Sequence, residues 1–180
     1  MTRDEKERAQ AGKVLILNGT SSAGKTALAK GLQEALDDCF LYCSLDMFWD
    51  MTPVDVPAGS HNFPDLKRAM AKAVRALAET GHNVIVDTIH KGGLCQQEML
   101  TELEGLEIRK IKVACGLTVL RQRESARSDR RIGLAQSQIH SVHDGVIYDF
   151  EIDTSDASCE ACVNQIQAYL VDTWGCLPKV

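Results

Sequence analysis

The chain has 180 residues, of which 44% are apolar and 25% charged, with a formal net charge of −5. This length predicts a single domain that is large enough to bury a sizeable core, and the composition is typical of a globular protein. The acidic balance argues against a nucleic-acid partner, because such binders usually carry a basic excess. No apolar run approaches the roughly eighteen residues of a membrane span, and residues 1–10 lack the apolar core of a signal peptide. We therefore expect a cytoplasmic protein with no nucleic-acid or membrane partner.

Apolar strand-like runs alternate with helical patterns along the chain. Residues 1–12 are predicted to be a disordered lead-in to a domain of residues 13–180. The predicted strands are residues 13–18, 40–45, 83–87, 109–115 and 147–152. The predicted helices are residues 27–36, 65–80, 94–103, 118–130 and 158–173. This alternation indicates an α/β fold with a five-stranded parallel sheet and helices on both faces.

A glycine-containing loop separates the first predicted strand from the first predicted helix. It matches G-x-x-x-x-G-K-[ST], the phosphate-binding loop, and consists of Gly19, Thr20, Ser21, Ser22, Ala23, Gly24, Lys25 and Thr26. Backbone N–H groups of such a loop wrap a phosphate, and the helix N-terminus adds positive potential. We expect Lys25 to reach the β- and γ-phosphates of ATP and the Thr26 hydroxyl to ligate Mg²⁺. An ordinary glycine turn would require neither the lysine nor the hydroxyl.

Carboxylates follow the predicted strands at the sheet edge where ligands bind in such folds. Asp87 is predicted to hold Mg²⁺ directly or through water, the alternative being a cap or turn residue. Asp46 is either the base that accepts a proton from a substrate hydroxyl or an N-cap of a helical turn. Asp153 ends the last predicted strand. The spacing leaves the two readings of Asp46 open.

Arginines crowd into one stretch late in the chain. Arg123, Arg127 and Arg130 share one face of a helix, and Gly133 supplies a hinge after them. A solvated face would usually interleave charges of both signs. We predict an arginine-rich lid that closes over the γ-phosphate and neutralises developing charge, with Arg127 and Arg130 as the principal candidates and Arg123 as a further nucleotide-binding residue.

A long proline-containing loop over residues 52–64 is predicted to be functional or mobile. The apolar and aromatic residues around it line an acceptor pocket or belong to the core: Phe48, Trp49, Met51, His61 and Phe63. His143 is more typical of a structural hydrogen-bonding residue than of a catalyst.

The chain has seven cysteines, an odd and scattered set. Free thiols in a reducing compartment are the expected state. Cys159 and Cys162 have the spacing of a zinc or redox pair, but no second pair or histidine lies at ligand spacing. We therefore expect no metal or redox chemistry at this pair.

Taken together, these motifs resemble the chloramphenicol phosphotransferase-like kinases over residues 13–162. The resemblance covers Leu17-Asn18-Gly19 leading into the phosphate loop, Asp46, Arg123-Glu124-x-x-Arg127-x-Asp129-Arg130, Gly133, Val142-His143-x-Gly145-x-x-Tyr148-Asp149 and Asp153-Thr154. The later block is more specific than the phosphate loop, which many unrelated enzymes share. Residues 47–63 depart most from the enzyme that named the family, and Thr26 stands where that enzyme has serine.

The resemblance implies a single-domain P-loop kinase that transfers the γ-phosphate of ATP to a small-molecule hydroxyl, with Asp46 as the base and Arg127 and Arg130 near the phosphates. Chloramphenicol, and with it antibiotic resistance, is one candidate. A metabolic kinase for a sugar, shikimate-like or nucleotide acceptor is the alternative. A nucleotide-binding switch and a polynucleotide-end kinase are further readings. Homo-oligomerisation stays open.

Overall fold

A computed structural model describes residues 11–53, 63–126, 133–176 and 178–179, with the side chains of residues 63 and 64 excepted. The strands in this part of the chain are β1 Val14–Asn18, β2 Phe40–Ser44, β3 Asn83–Thr88, β4 Ile108–Ala114 and β5 Phe150–Asp153. The helices are α1 Lys25–Ala35, α2 Leu45–Trp49, α3 Phe63–Glu79, α4 Gly93–Glu102, α5 Leu117–Ser125, α6 Leu134–Gln138 and α7 Cys159–Trp174.

The five strands form one parallel sheet in the order β2-β3-β1-β4-β5. The strand that leads into the phosphate loop, β1, lies at the centre, with β3 and β4 on either side. Leu17 pairs with Asp87 on β3 and with Ile111 on β4. The predicted α/β class and the five-stranded parallel sheet are confirmed.

Alternating side chains of β1 divide the core between the two faces of the sheet. Leu15 and Leu17 pack in a cluster with α1 and α7, whereas Val14 and Ile16 pack in a second cluster with α3 and α4. All four side chains are at most 1% exposed. This burial on both faces explains why the strand reads as a continuous apolar run.

Several elements differ from the sequence prediction. The last strand was predicted over residues 147–152, but β5 is Phe150–Asp153 and Ile147 is 70% exposed in the preceding loop. The prediction rested on the apolar side chain of Ile147, which does not pack in the core. Ile147 is instead held by its backbone, which makes two hydrogen bonds to the side-chain amide of Gln96. The short helices α2 and α6, of five residues each, were not predicted as elements because they span too little sequence to show a period.

Three predicted segments extend beyond the described residues. Residues 1–10 of the lead-in lie outside them, although the Gly12 amide already donates a 2.8 Å hydrogen bond to the carbonyl of Ala78. Most of the loop at residues 52–64 lies outside them, including His61. So do Arg127 and Arg130, since α5 ends at Ser125 and the described chain resumes at Gly133.

Candidate active site

The phosphate loop takes its shape from two glycines. Gly24 has φ +92°, a left-handed conformation that glycine adopts without a Cβ penalty, and it is the N-cap residue of α1. A Cβ at Gly19 would collide with the carbonyl oxygen of Val113 on β4. The motif glycines are therefore required by the turn into α1 and by the close approach of the loop to β4.

The N-terminus of α1 is open toward the loop. No side chain caps it, so its first N–H groups are left for an external acceptor. Within the described part of the chain, the buried hydroxyls of Ser21 and Ser22 have no hydrogen-bond partner. Ser22 also has φ +64°, which is uncommon for a residue with a Cβ. An uncapped helix end and a strained loop form the anion cradle that the motif predicts.

Lys25, Thr26 and Asp87 converge beside this cradle. The Thr26 hydroxyl donates a 2.7 Å hydrogen bond to Oδ2 of Asp87, and the Lys25 ammonium lies 3.8 Å from Oδ1 of Asp87. Lys25 also donates to the carbonyl of Thr20 at 2.8 Å. The hydroxyl of Tyr42 donates to the same Asp87 oxygen at 3.0 Å, and burial, together with the Asp87 charge, raises the pKa of this tyrosine.

The structure places Asp46 in the first turn of α2 rather than at the end of β2. The N-cap of α2 is Ser44, whose hydroxyl accepts a 3.3 Å hydrogen bond from the Met47 amide. The alternative N-cap role of Asp46 is therefore filled by another residue. The exposed Asp46 carboxylate lines the main cavity with Trp49.

This main cavity has a volume of about 990 Å³. Its lining includes the phosphate loop, Asp87, the α2 residues Asp46 and Trp49, and Arg123. The aromatic residues near the loop divide between the two expected roles. Trp49 lines the cavity, Phe48 packs on the core of α3 and α4, and Met51 is 74% exposed. The side chain of Phe63 is not among those that the structure describes.

Arg123 is fixed to the phosphate loop through Thr154. Its guanidinium donates to the Thr154 hydroxyl oxygen at 3.1 Å and to the Thr154 carbonyl at 2.6 Å. The Thr154 hydroxyl in turn donates to the carbonyl of Ala23 at 2.9 Å. Arg123 is thus held beside the cradle, and the neighbouring Asp153 instead accepts from the amide and hydroxyl of Ser155.

The two ends of the arginine segment are tied together. Oε2 of Glu124 accepts a 2.7 Å hydrogen bond from the Gly133 amide, and Oε1 accepts a 3.0 Å bond from the Ala135 amide. These amides hold the pKa of Glu124 below its ordinary value, with Ala135 as the largest cause. Ala126 and Leu134, which flank residues 127–132, both line the main cavity.

His143 belongs to a hydrogen-bonded chain behind the loop. Nδ1 of His143 lies 2.6 Å from the hydroxyl of Tyr148, which accepts a 2.6 Å bond from the Asn18 side chain. Burial lowers the pKa of His143 and raises that of Tyr148 to about 12. This arrangement fits a neutral imidazole that positions Asn18 at the end of β1.

The cysteines form no disulfide among the described residues, and all seven are free thiols. Cys159 is exposed at the rim of the main cavity, and Cys162 is buried with its thiol 3.7 Å from the carbonyl of Asp153. In the described ranges, no three side chains of the His, Cys, Asp or Glu type form a metal-binding group. None of the helices described is long and apolar enough to cross a membrane.

The fold and the loop together are those of P-loop kinases. The adenylylsulfate (APS) kinase of Mycobacterium tuberculosis, solved with AMPPNP and APS, aligns with a TM-score of 0.71 over 89% of this chain and 98% of that one, at 15% identity. A sugar kinase from Janibacter sp. aligns with a TM-score of 0.69 over 88% and 94% of the two chains, at 17% identity. Likeness at such low identity shows a shared fold.

The sequence places the chain more narrowly. Residues 12–171 match the family described as chloramphenicol phosphotransferase-like protein. A Mycobacterium tuberculosis protein provisionally named an O-phosphotransferase is 30% identical over 170 residues, covering 80% of this chain and 76% of the relative. The chain therefore belongs to the chloramphenicol phosphotransferase-like family, and it is a kinase-type phosphotransferase with a nucleotide-binding P-loop.

Proposed function

We propose that the protein transfers the γ-phosphate of ATP, with Mg²⁺, to a hydroxyl group of a small molecule. One observation carries this proposal: a single cavity of about 990 Å³ is lined both by the phosphate loop and by Asp46 and Trp49. A triphosphate and an acceptor can therefore share one space. The free thiols support a reducing compartment such as the cytoplasm.

Lys25 and the amides at the start of α1 hold the phosphates in this proposal. The side chain of Lys25 is 7% exposed and lies at the uncapped helix end, where its ammonium adds a positive charge to the cradle. Arg123 adds a second positive charge through its connection to Ala23. These groups act by orienting the phosphates and by stabilising charge, which is most of what phosphoryl transfer requires from a protein.

Thr26 and Asp87 are the residues that would hold Mg²⁺. Their oxygen atoms lie 2.7 Å apart beside the cavity, and oxygen is the donor that Mg²⁺ prefers. One or two protein oxygens suffice, because Mg²⁺ usually keeps waters and substrate phosphates as its other ligands. When bound, the ion would neutralise charge on the β- and γ-phosphates.

Asp46 is proposed to orient the acceptor hydroxyl and to take its proton. The support is its position, since it is exposed to the same cavity as Lys25 and is not the cap of its own helix. A base of this kind contributes roughly a hundredfold to ten-thousandfold in rate. Arg127 and Arg130 are proposed to neutralise the transferred phosphoryl group, because Ala126 and Leu134, on either side of their segment, line this cavity.

The acceptor is proposed to be a neutral or anionic small alcohol, with chloramphenicol as one candidate and sugars, shikimate-like acids and nucleotides as others. ADP release measured with such a panel should show stimulation by at least one alcohol, above the background of the Lys25→Ala variant. Hydrolysis of ATP without stimulation by any alcohol would favour the nucleotide-binding switch instead.

Asp46→Asn gives the sharper test. Acceptor-dependent turnover should fall about a hundredfold or more, while the affinity for ATP changes little. Asp50→Asn is the matched control, because Asp50 is an exposed carboxylate at the C-cap of the same short helix. Equal losses of turnover and ATP affinity in Asp46→Asn would instead indicate a role in folding.

A further inference from the structure

A second cavity of about 360 Å³ adjoins the main one on the side of the sheet covered by α3 and α4. Lys67 and Thr88 line both cavities. The remaining walls come from His90, after β3, and from side chains of α3 and α4. The two cavities therefore lie side by side at the end of β3.

Two buried polar side chains at this cavity lack a hydrogen-bond partner in the described part of the chain. Within the described ranges, the two ring nitrogens of His90 make no hydrogen bond, and the hydroxyl of Thr88 makes none either. His90 is 1% exposed and Thr88 is 2% exposed. The position of His90 is fixed by its backbone, since its amide donates a 2.7 Å bond to Oδ1 of Asn18. A buried group left unpaired is costly, so this pair calls for a partner that the described residues do not supply.

The chemistry of these side chains favours a hydroxyl-bearing partner. Burial, and secondarily the Lys67 charge, lowers the pKa of His90 to about 4, so the ring is neutral near pH 7. A neutral imidazole has one donor and one acceptor nitrogen, and the Thr88 hydroxyl can also do both. A hydroxyl group of a ligand, which donates and accepts, satisfies either side chain.

The charges around the cavity do not favour an anion. The Arg68 guanidinium is paired with Asp65 at 3.2 Å. Lys67 donates to the carbonyl of Ile89 at 2.8 Å and to the thiol of Cys95 at 3.3 Å. The residues of α4 that line the cavity include two carboxylates, Glu98 and Glu102, and no cation. Among the described lining residues, a carboxylate or phosphate entering here would meet more negative than positive charge.

We propose that the second cavity binds an uncharged, hydroxyl-bearing part of the phosphate acceptor, and that His90 and Thr88 select it by hydrogen bonding. The identity of this molecule as the acceptor rests on the proposed function. The binding itself does not, and it can be measured without ATP.

The experiment follows the ring ¹⁵N resonances of His90 by NMR while sorbitol or gluconate is added. These probes have six carbons each and differ by a carboxylate, so they separate hydroxyl binding from anion binding. The resonances are assigned as those missing in His90→Phe. We expect sorbitol to shift them saturably and gluconate to leave them nearly unchanged. Thr88→Val should weaken the sorbitol response several-fold.

His82→Phe is the matched control, because His82 is an exposed histidine on the turn before β3. It should leave the sorbitol response of His90 unaltered. His90→Phe should remain folded with no loss of thermal stability, because it replaces an unpaired buried polar ring with an apolar one. A thermal midpoint that drops on this substitution would mean that His90 is a structural residue.

The remaining outcomes of the NMR titration would each contradict the proposal. A response to gluconate, alone or together with a response to sorbitol, would overturn the uncharged ligand class, and no response to either probe would overturn the binding site. Failure of the proposed function has a different signature, since ATP turnover would then be unstimulated by any alcohol while sorbitol still shifts His90.

Discussion

The backbone amide of Ser21 donates a 2.8 Å hydrogen bond to Oε1 of Gln138, which lies 117 positions later in the chain. Gln138 is 4% exposed at the end of α6. The middle of the phosphate loop is therefore braced by the segment that follows the arginines. We predict that nucleotide binding and the placement of that segment are coupled through this contact.

Gln138→Ala should weaken ATP binding about tenfold, because a buried amide left without its acceptor costs about 1–3 kcal/mol and loosens the loop. The dissociation constant of a fluorescent ATP analogue measures this effect. Gln136→Ala is the control, since Gln136 is an exposed glutamine of the same helix whose amide pairs with Arg121. Equal effects of the two substitutions would mean that the brace does not matter.

Thr26→Val should raise the Mg²⁺ concentration needed for half-maximal turnover about tenfold or more, because it removes a proposed ligand and frees Asp87. A Mg²⁺ titration of ADP release measures it. Tyr42→Phe removes the other hydroxyl bond to the same Asp87 oxygen without touching the proposed ligand set. Its effect should be smaller, and the reverse order would contradict the Mg²⁺ role of Thr26.

Glu124→Gln should lower the free energy of unfolding by about 2 kcal/mol. Its carboxylate accepts two backbone N–H bonds, and hydrogen bonds to charged groups contribute about 1.5–3 kcal/mol each, whereas the amide can present an N–H group to these donors. Urea denaturation measures the loss, and Glu104→Gln, at an exposed glutamate, controls for charge. An unchanged midpoint would show that the clamp between α5 and α6 contributes nothing to stability.

Stability should fall as pH is lowered through the window from about 6.5 to about 4. The unfolded imidazole of His90 has the ordinary histidine pKa of 6.5, whereas burial lowers the pKa of the folded one to about 4, so the unfolded chain binds more protons in this window. The stabilisation is complete above pH 6.5, and its loss by pH 4 reaches about 3 kcal/mol.

The difference in unfolding free energy between wild type and His90→Phe, measured across pH, isolates this contribution from other groups. The charged and titratable groups around His90 on α3 and α4 are Asp65, Lys67, Arg68, Cys95, Glu98 and Glu102, and they are common to both proteins. A difference that does not vary between pH 6.5 and 4 would contradict a buried neutral His90.

The phosphate loop and the central strand could be predicted because their signals are local. Gly19 and Gly24 are needed by the turn itself, and Lys25 and Thr26 occupy fixed positions after it. The sequence also placed Thr26 and Asp87 at one edge of the sheet, since β1 and β3 were both recognised as strands, and their contact adds the pairing of β1 with β3. The functional roles of these residues stay predictions.

Contacts between distant segments could not be predicted in this way. Gln138 and His90 carry no motif of their own, and Thr154, although it belongs to the family resemblance, was assigned no role from sequence. Each acquires its role from a partner or a cavity wall far along the chain. Tyr42 reaches Asp87 because β2 and β3 are neighbours in the sheet. The order of the strands cannot be predicted from local sequence patterns, so this contact could not be predicted either. Asp46 was predicted at the end of the strand or as a helix cap, whereas Ser44 both ends β2 and caps α2, so that Asp46 lies in the first turn of the helix.

The two faces of the sheet differ in which substitutions they can accept under the proposed function. The helix after the phosphate loop, α1, packs with α7 on one face, whereas α3 and α4 form the second cavity on the other. Under the proposed function, substitutions in α3 and α4 alter which alcohol is phosphorylated without disturbing the packing behind the nucleotide. A lineage can thus acquire new acceptors on one side of the sheet while inheriting its phosphate chemistry intact on the other.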